Sequence, residues 1–249
     1  RTDGLVYVTG VVMDAVCTPG LCKATNIGVN QDRAGRMLLS RYCARDPTCV
    51  KRLANDPERF AMHVFDKLDS GNLPCATALN LQRTELQTLL NDLASAHWPT
   101  MRLPMAPALL YRLNRCKDTD LMALNHSISR ARRQSAAGVP MPEGGSIVQE
   151  LNVEYSDMWR ASLGGSGGEA LIPSQATIDA AYANFLFASN DAQYAGFNGK
   201  SVRRAFELWN KFDPDEFVGG FAPSLVPMLL LNGDLDPAVN NDANMQVSV

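Results

Sequence analysis

The sequence of 249 residues lacks the features that mark several large classes of protein. No apolar run approaches the roughly 18 residues that a membrane-spanning helix requires, and the best candidate, 226–231, is interrupted by Pro227. The net charge is −3 and the sequence pI is near 5.6, so basic residues are not in excess. The composition therefore argues against a membrane-spanning protein and against one that binds nucleic acid through bulk positive charge.

What the sequence does contain is ordinary for a globular protein. Hydrophobic residues make up 46% of the chain and charged residues 20%, which argues against disorder. A chain of this length is long enough for one large or two small domains with a real core. No internal repeat is visible. We expect a mildly acidic globular protein.

The six cysteines lack the spacing of a zinc site, because no pair is separated by two residues and the three histidines lie apart from them. Two pairs flank short turn-forming stretches, which favours local disulfides, and the remaining two cysteines would then form a longer-range bridge. The alternative is that all six are free buried thiols. The predicted bridges are Cys17–Cys22, Cys43–Cys49 and Cys75–Cys116.

Disulfides indicate an oxidising compartment, so we predict a secreted protein. The glycosylation sequon Asn125-His126-Ser127 is consistent with that prediction. No signal peptide is visible at the start of the chain, which begins with Arg1.

Apolar patterning predicts strands near both ends of the chain and helices between them. The run 5–16 is apolar enough for a strand buried on both faces, and 226–231 predicts a second strand. The arrangement favours an α/β fold with a long helical insertion between two strands of one sheet. Helices are predicted over 32–42, from Pro57 to a stop at Gly71, from a capping box at Thr84, over 106–115 and 119–133, from Ser174, and over 201–212.

The segment with the clearest chemistry follows the second predicted strand. Leu231 leads directly into Asn232-Gly233-Asp234-Leu235-Asp236-Pro237, so the strand delivers two carboxylates at its carboxyl end. In open α/β sheets that edge collects ligands and catalytic groups, and a carboxylate there can orient a histidine during acyl transfer. The alternative is a solvated turn after a core strand. A calcium loop is disfavoured because the required glycine is missing after the third ligand position.

This acid-bearing segment resembles that of α/β-hydrolases, and more narrowly that of the tripeptidyl- and prolyl-aminopeptidase-like serine peptidases. The segments 11–16, 42–49 and 111–116 resemble other parts of the same family. The resemblance implies a partial α/β-hydrolase fold with a large, mostly helical cap inserted between core strands. It also implies that Asp236, and not Asp234, is the acid of a Ser-Asp-His triad.

The chain contains no convincing nucleophile for such a triad. Ser166 lies in Gly164-Gly165-Ser166-Gly167-Gly168, which satisfies the Gly-x-Ser-x-Gly pattern by its letters. No buried strand precedes it, and Pro173 leaves no room for the helix that should follow. The dinucleotide-like pattern over the same glycines fails the same test.

The histidines are also in the wrong order, because all three precede Asp236 whereas the base of this family follows the acid. His63, His97 and His126 are better interpreted as surface or packing residues. The resemblance therefore implies that the serine and the histidine lie outside residues 1–249, and that this chain is an interior portion inactive by itself. On that basis we expect three regions: a core strand and turn (1–30), a helical cap (31–200) and the acid-bearing core segment (201–249).

The predicted function is that of a secreted serine exopeptidase that cleaves short peptides without a cofactor or a metal. Its expected partner is a small peptide substrate, with neither nucleic acid nor membrane involved. One alternative is an esterase, lipase or epoxide-type hydrolase with the same acid-bearing strand. The other is a non-catalytic secreted protein, either a degenerate hydrolase or a helical interaction module.

A cluster of arginines, 130, 132 and 133, is predicted to be a solvated helix end.

Overall fold

The computed structural model describes residues 9–14, 24–94, 104–136, 183–188, 208–210 and 227–231, and the single residues 146, 148, 152 and 180. About 70% of these residues are helical. In chain order the elements are β1 (Val11–Asp14), α1 (Ala24–Ala44), α2 (Pro47–Arg52), α3 (Pro57–Asp69), α4 (Pro74–Ala78), α5 (Arg83–Ala94), α6 (Met105–Arg115), α7 (Asp118–Ala136) and β2 (Met228–Leu231).

The ends of α3 follow directly from the local sequence. The Asp56 side chain accepts a hydrogen bond from the backbone N–H of Arg59 at 2.9 Å, and Pro57 occupies the first turn, where its missing N–H is harmless. After the helix, Gly71 adopts φ of 71°, a conformation that glycine adopts without steric cost. The predicted limits of this helix are confirmed.

The start of α5 differs from the predicted capping box at Thr84. The helix begins at Arg83, and the N–H of Leu86 donates to the carbonyl of Gln82 at 3.0 Å. The Gln87 side chain, expected to reach back to Thr84, donates instead to the carbonyl of Phe185 at 2.7 Å. A tertiary contact therefore replaces the predicted local one.

The helices pack on one another around a common apolar core. α1 contacts α2, α3, α5 and α6, and α6 also contacts α3, α4, α5 and α7. These contacts bury the apolar face of each helix, which is the main source of stability for helices of this length. The largest fully buried side chains of this core include Leu39, Phe65, Leu86, Leu90, Leu110 and Leu113.

Two of the three predicted disulfides lie in this helical body and are confirmed. Cys43 and Cys49 join the end of α1 to α2, with their Cα atoms 5.0 Å apart. The second bridge, between Cys75 and Cys116, joins α4 to the end of α6, with a Cα separation of 5.4 Å. The predicted bridge Cys17–Cys22 lies outside the described residues.

The predicted α/β class, with a partial α/β-hydrolase core, is wrong for the described residues. Their sheet has two strands, β1 and β2, which pair in parallel with Val11 opposite Met228 and Asp14 opposite Leu231. The physical reason is that the described helices bury their apolar faces against each other, and the described sheet of two strands is too small to form the core of an α/β fold. The division of the chain at residues 30 and 200 stays a prediction.

A strand is confirmed within each predicted run, at Val11–Asp14 and at Met228–Leu231, although Thr9 and Gly10 of the first run are not in a strand. The predicted burial of the strands is wrong. Val12 is 67% exposed, Leu229 53% and Leu231 46%. Parallel sheets bury both faces when further strands and crossover helices surround them. Within the described part of the chain each of these strands has a single neighbouring strand, so their apolar side chains stay in contact with solvent.

We predict that the two disulfides contribute unequally to stability. Because loop-closure entropy grows with loop length, losing the 41-residue Cys75–Cys116 bridge should cost about 4 kcal/mol, and losing the six-residue Cys43–Cys49 bridge about 2 kcal/mol. Urea unfolding of the two double-alanine variants, Cys75→Ala/Cys116→Ala and Cys43→Ala/Cys49→Ala, measures the difference. Each double variant replaces two cysteines by two alanines, so each serves as the control for the other. Equal losses in the free energy of unfolding would contradict an origin in loop-closure entropy.

Candidate functional site

The parallel pairing of β1 and β2 brings two distant parts of the chain to one sheet edge. The strands run in register, so Asp14 and Leu231 end them side by side, and Val11 N–H donates to the carbonyl of Pro227 at 2.9 Å at the other end. The chain continues from β2 directly into the acidic turn. Asp234 and Asp236, the carboxylates predicted from the sequence, lie outside the described residues.

The remaining candidates for a triad are separated from that edge in sequence. Ser166 and His97 lie outside the described residues. His63 on α3 and His126 on α7 are exposed, as the sequence interpretation expected.

Across the described ranges, no group of three or more His, Cys, Asp or Glu side chains could hold a metal ion. No described helix is long and apolar enough to cross a membrane.

Arg132, one of the arginines near the end of α7, is exposed and also makes tertiary hydrogen bonds. Arg132 donates from Nε to Glu85 Oε1 at 2.5 Å, and from Nη2 to the carbonyls of Leu79 and Asn80 at 3.1 and 3.3 Å. These bonds connect α7 to the turn that precedes α5. Arg130 and Arg132 are both exposed, so the prediction of a solvated helix end is confirmed for them, and the Arg132 guanidinium has a structural role as well.

A buried carboxylate joins α6 to α7. Asp120, whose side chain is fully buried, accepts hydrogen bonds from Arg115 Nε at 2.8 Å, from Arg115 Nη2 at 2.6 Å and from the Lys117 N–H at 3.0 Å. The Arg115 hydrogen bonds lower the pKa of Asp120 from 3.8 to about 2, with the Lys117 N–H acting in the same direction and against the effect of burial. Arg115 also makes a cation–π contact, since its Cζ lies 4.9 Å from the centre of the Tyr111 ring. A carboxylate saturated in this way stabilises the corner and is not poised to move protons.

A polar cleft of about 410 Å³ opens between the end of α3, α4 and the start of α5. Arg83 lines it, pairs with Asp69, and stacks over the Phe65 ring at 4.8 Å from ring centre to Cζ. The Nε of Arg83 is buried and has no hydrogen-bond partner. The sequence interpretation missed this cleft because its residues come from three helices. The cleft is lined by Leu68, Asp69, Leu73, Ala76, Thr77, Asn80, Leu81, Gln82 and Arg83.

Comparison with models of known protein families, with curated protein sequences and with solved structures finds no match to this chain. The resemblance to serine peptidases therefore stays a prediction from the motifs alone.

We predict that Asp120 makes folding stability depend on pH in the acid range. Its folded-state pKa is below the ordinary value, so the stability that it contributes is fully present above pH 3.8 and is lost as the pH falls to about 2. In Asp120→Asn, the urea midpoint should be lower at pH 7, and its further decrease between pH 4 and pH 2 should be smaller than in the wild type. Asp118→Asn, an exposed change in the same helical turn, should keep the wild-type pH dependence. Identical acid profiles for Asp120→Asn and the wild type would contradict this prediction.

Proposed function

We propose that this chain supplies the catalytic acid of a secreted serine exopeptidase, with Asp236 as that acid. The nucleophilic serine and the histidine base would lie in sequence outside residues 1–249. The proposal concerns the role of the carboxylate and does not require an α/β-hydrolase core among the described helices.

The observation that carries the proposal is the parallel, in-register pairing of β1 with β2. The carboxyl ends of parallel strands meet at one edge of a sheet, which is where α/β proteins gather their ligands and catalytic groups. The acidic turn that contains Asp236 begins at that edge, immediately after Leu231. A solvated turn with no function would require no such pairing with a strand more than 200 residues earlier in the chain.

The exposure of the two strands is a second supporting observation. A two-stranded sheet is marginal in water, and the apolar side chains of Val12 and Leu229 are more than half exposed. Parallel strands with such side chains are normally covered on both faces. Both features favour contact of these two strands with another part of the enzyme, such as the part that carries the serine and the histidine.

The disulfides support the proposal that the enzyme is secreted. Cys43–Cys49 and Cys75–Cys116 are both formed in the helical body, and such bridges persist in oxidising compartments. The helices α1 to α7 would act as the cap of the enzyme, restricting entry to short peptides.

In the proposed reaction, Asp236 accepts a hydrogen bond from the Nδ1–H of the histidine and fixes the tautomer of its ring. The histidine Nε2 then takes the proton of the serine hydroxyl as that oxygen attacks the scissile carbonyl. The same nitrogen later gives the proton to the leaving amine. Water hydrolyses the acyl-enzyme through the same proton transfers in reverse order. The Asp236 carboxylate stays ionised throughout and stabilises the imidazolium that forms.

We predict that Asp236→Asn lowers kcat by about 10⁴-fold in the enzyme that carries this segment together with its serine and histidine. Release of a chromophore from aminoacyl and tripeptidyl substrates measures the effect. Asp234→Asn is the matched control, because it neutralises a carboxylate two residues away in the same turn and should leave kcat within a fewfold of the wild type. Equal activity of Asp236→Asn and the wild type would overturn the assignment, and hydrolysis of esters with no detectable hydrolysis of peptides would move the substrate class to esters.

A helical interaction module is the second candidate, and one observation favours it. The helices from α1 to α7 share one core, and both described disulfides lie within residues 24–136. Such a body could be stable and bind a partner without any catalysis. If Asp236 proves irrelevant to activity, this candidate becomes the better account of the chain.

A further inference from the structure

A short segment of the chain is bound in a groove between α1 and α5. The groove, called here the α1–α5 groove, is formed by Asp32, Gly35 and Arg36 of α1 and by Gln87 of α5, and residues 184–188 lie in it. The segment is about 100 residues from α5 in sequence. It contacts the groove through backbone hydrogen bonds and through the buried side chains of Leu186, Phe187 and Ala188.

The Asp32 carboxylate holds the centre of the segment. Its Oδ1 accepts hydrogen bonds from the backbone N–H groups of Leu186 and Phe187, at 2.6 and 3.0 Å. Asp32 is buried, with 8% of the residue exposed, so these two bonds form away from water. A buried carboxylate is costly unless such donors satisfy it, and the groove therefore favours an occupant that offers adjacent backbone N–H groups.

Two further side chains bind carbonyls of the segment. Arg36 Nη2 donates to the carbonyl of Asn184 at 2.9 Å, and Gln87 Nε2 donates to the carbonyl of Phe185 at 2.7 Å. At the other end, the N–H of Ala188 points at the carbonyl of Gln87 at 3.5 Å. Each of the five residues thus has a backbone group bonded to the groove.

Arg36 is itself held in position by two carboxylates. Its Nε donates to Asp32 Oδ2 at 2.7 Å and its Nη1 to Glu58 Oε1 at 2.9 Å. These ion pairs raise the pKa of Arg36, against the opposing effect of burial. The donor that faces the segment is therefore preorganised by α1 and α3.

The shape of the groove fits the side chain of Phe187. Phe187 is fully buried with its ring against Gly35, where an added Cβ would lie only 2.2 Å from the ring. The absence of a side chain at Gly35 is what makes room for the aromatic ring. The groove thus combines backbone hydrogen bonds with burial of the Leu186, Phe187 and Ala188 side chains, and the space above Gly35 suits the aromatic one.

We propose that the α1–α5 groove is a binding site for a short peptide with an aromatic residue at the Gly35 pocket, and that residues 184–188 occupy it in cis. A peptide from another molecule would bind by displacing this segment. The proposal goes beyond the proposed catalytic function and is independent of it, because it concerns binding by the described helices and requires neither Asp236 nor catalysis.

The groove should bind such a peptide weakly in the wild type, because a tethered segment competes at an effective concentration in the millimolar range. The test uses the full 249-residue chain and a fluorescein-labelled peptide, Asn-Phe-Leu-Phe-Ala, blocked at both ends. Phe187→Ala weakens the cis segment and should tighten binding of this probe by about 100-fold, as measured by fluorescence anisotropy. Equal affinities of Phe187→Ala and the wild type for the probe would overturn the proposal.

Two controls separate groove binding from nonspecific adsorption. A peptide in which only the second phenylalanine is replaced by alanine should bind Phe187→Ala at least about tenfold more weakly, since a filled apolar pocket is lost. Adding Gly35→Ala to Phe187→Ala should weaken binding of the original probe to a similar extent, whereas adding the exposed change Asp66→Ala should not. Binding that ignores the second phenylalanine and Gly35 would contradict a shaped pocket.

A second measurement needs no variant and covers the case in which Phe187→Ala fails to fold. Hydrogen exchange of the wild-type chain is compared with and without the unlabelled peptide at millimolar concentration. Displacement predicts faster exchange at the amides of Leu186 and Phe187, with the amide of Leu110 in the helical core unchanged. Unchanged exchange at Leu186 and Phe187 would show that the segment is a fixed part of the core, and the proposal would fail.

Discussion

Burial of the apolar faces of α1 and α6 is the constraint on which the described structure depends, because each of them contacts at least four other helices. On α1, this face also leads to the candidate binding site. Leu39 and Cys43 of this helix are fully buried in the common core. The Cys43–Cys49 bridge then fixes where α2 begins relative to α1. The opposite end of the same face carries Asp32 and Gly35, so the α1–α5 groove is positioned by the packing that forms the core. The packing of α1 therefore contributes both to the stability of the core and to the position of the groove.

Two buried carboxylates accept hydrogen bonds from donors that lie at very different distances along the sequence. Asp120 bonds to Arg115 and to the N–H of Lys117, so it closes a corner between consecutive helices. Asp32 bonds to backbone groups more than 150 residues later in the chain. In both cases burial is tolerated because the charge is met by several donors. Asp120 stabilises the corner between α6 and α7. Asp32 instead holds a segment, 183–188, that has no helix or strand of its own.

Local signals in the sequence predicted local structure well. The Asp56–Pro57 start of α3 and the two described disulfides are confirmed because each depends on a few neighbouring residues or on a small number of cysteines. The prediction of the fold class is wrong because two apolar runs indicate two strands but do not reveal whether further strands join them into the sheet of an α/β core. The groove was missed for a related reason: Gln87 was assigned to a local cap, and nothing near it in sequence indicates its bond to Phe185. The role of Asp236 stays a prediction from the sequence.

The Cys75–Cys116 bridge also determines what a protease could do to this molecule. A single cut anywhere between these two cysteines, including the connection from α5 to α6, leaves both products covalently joined. A cut in the connection between α7 and the segment 183–188 has no such protection from this bridge and would release that segment from the helices preceding it. Digestion with and without a reductant would thus give different fragments, and the nicked but bridged form would keep its helices at the high local concentration needed to stay packed.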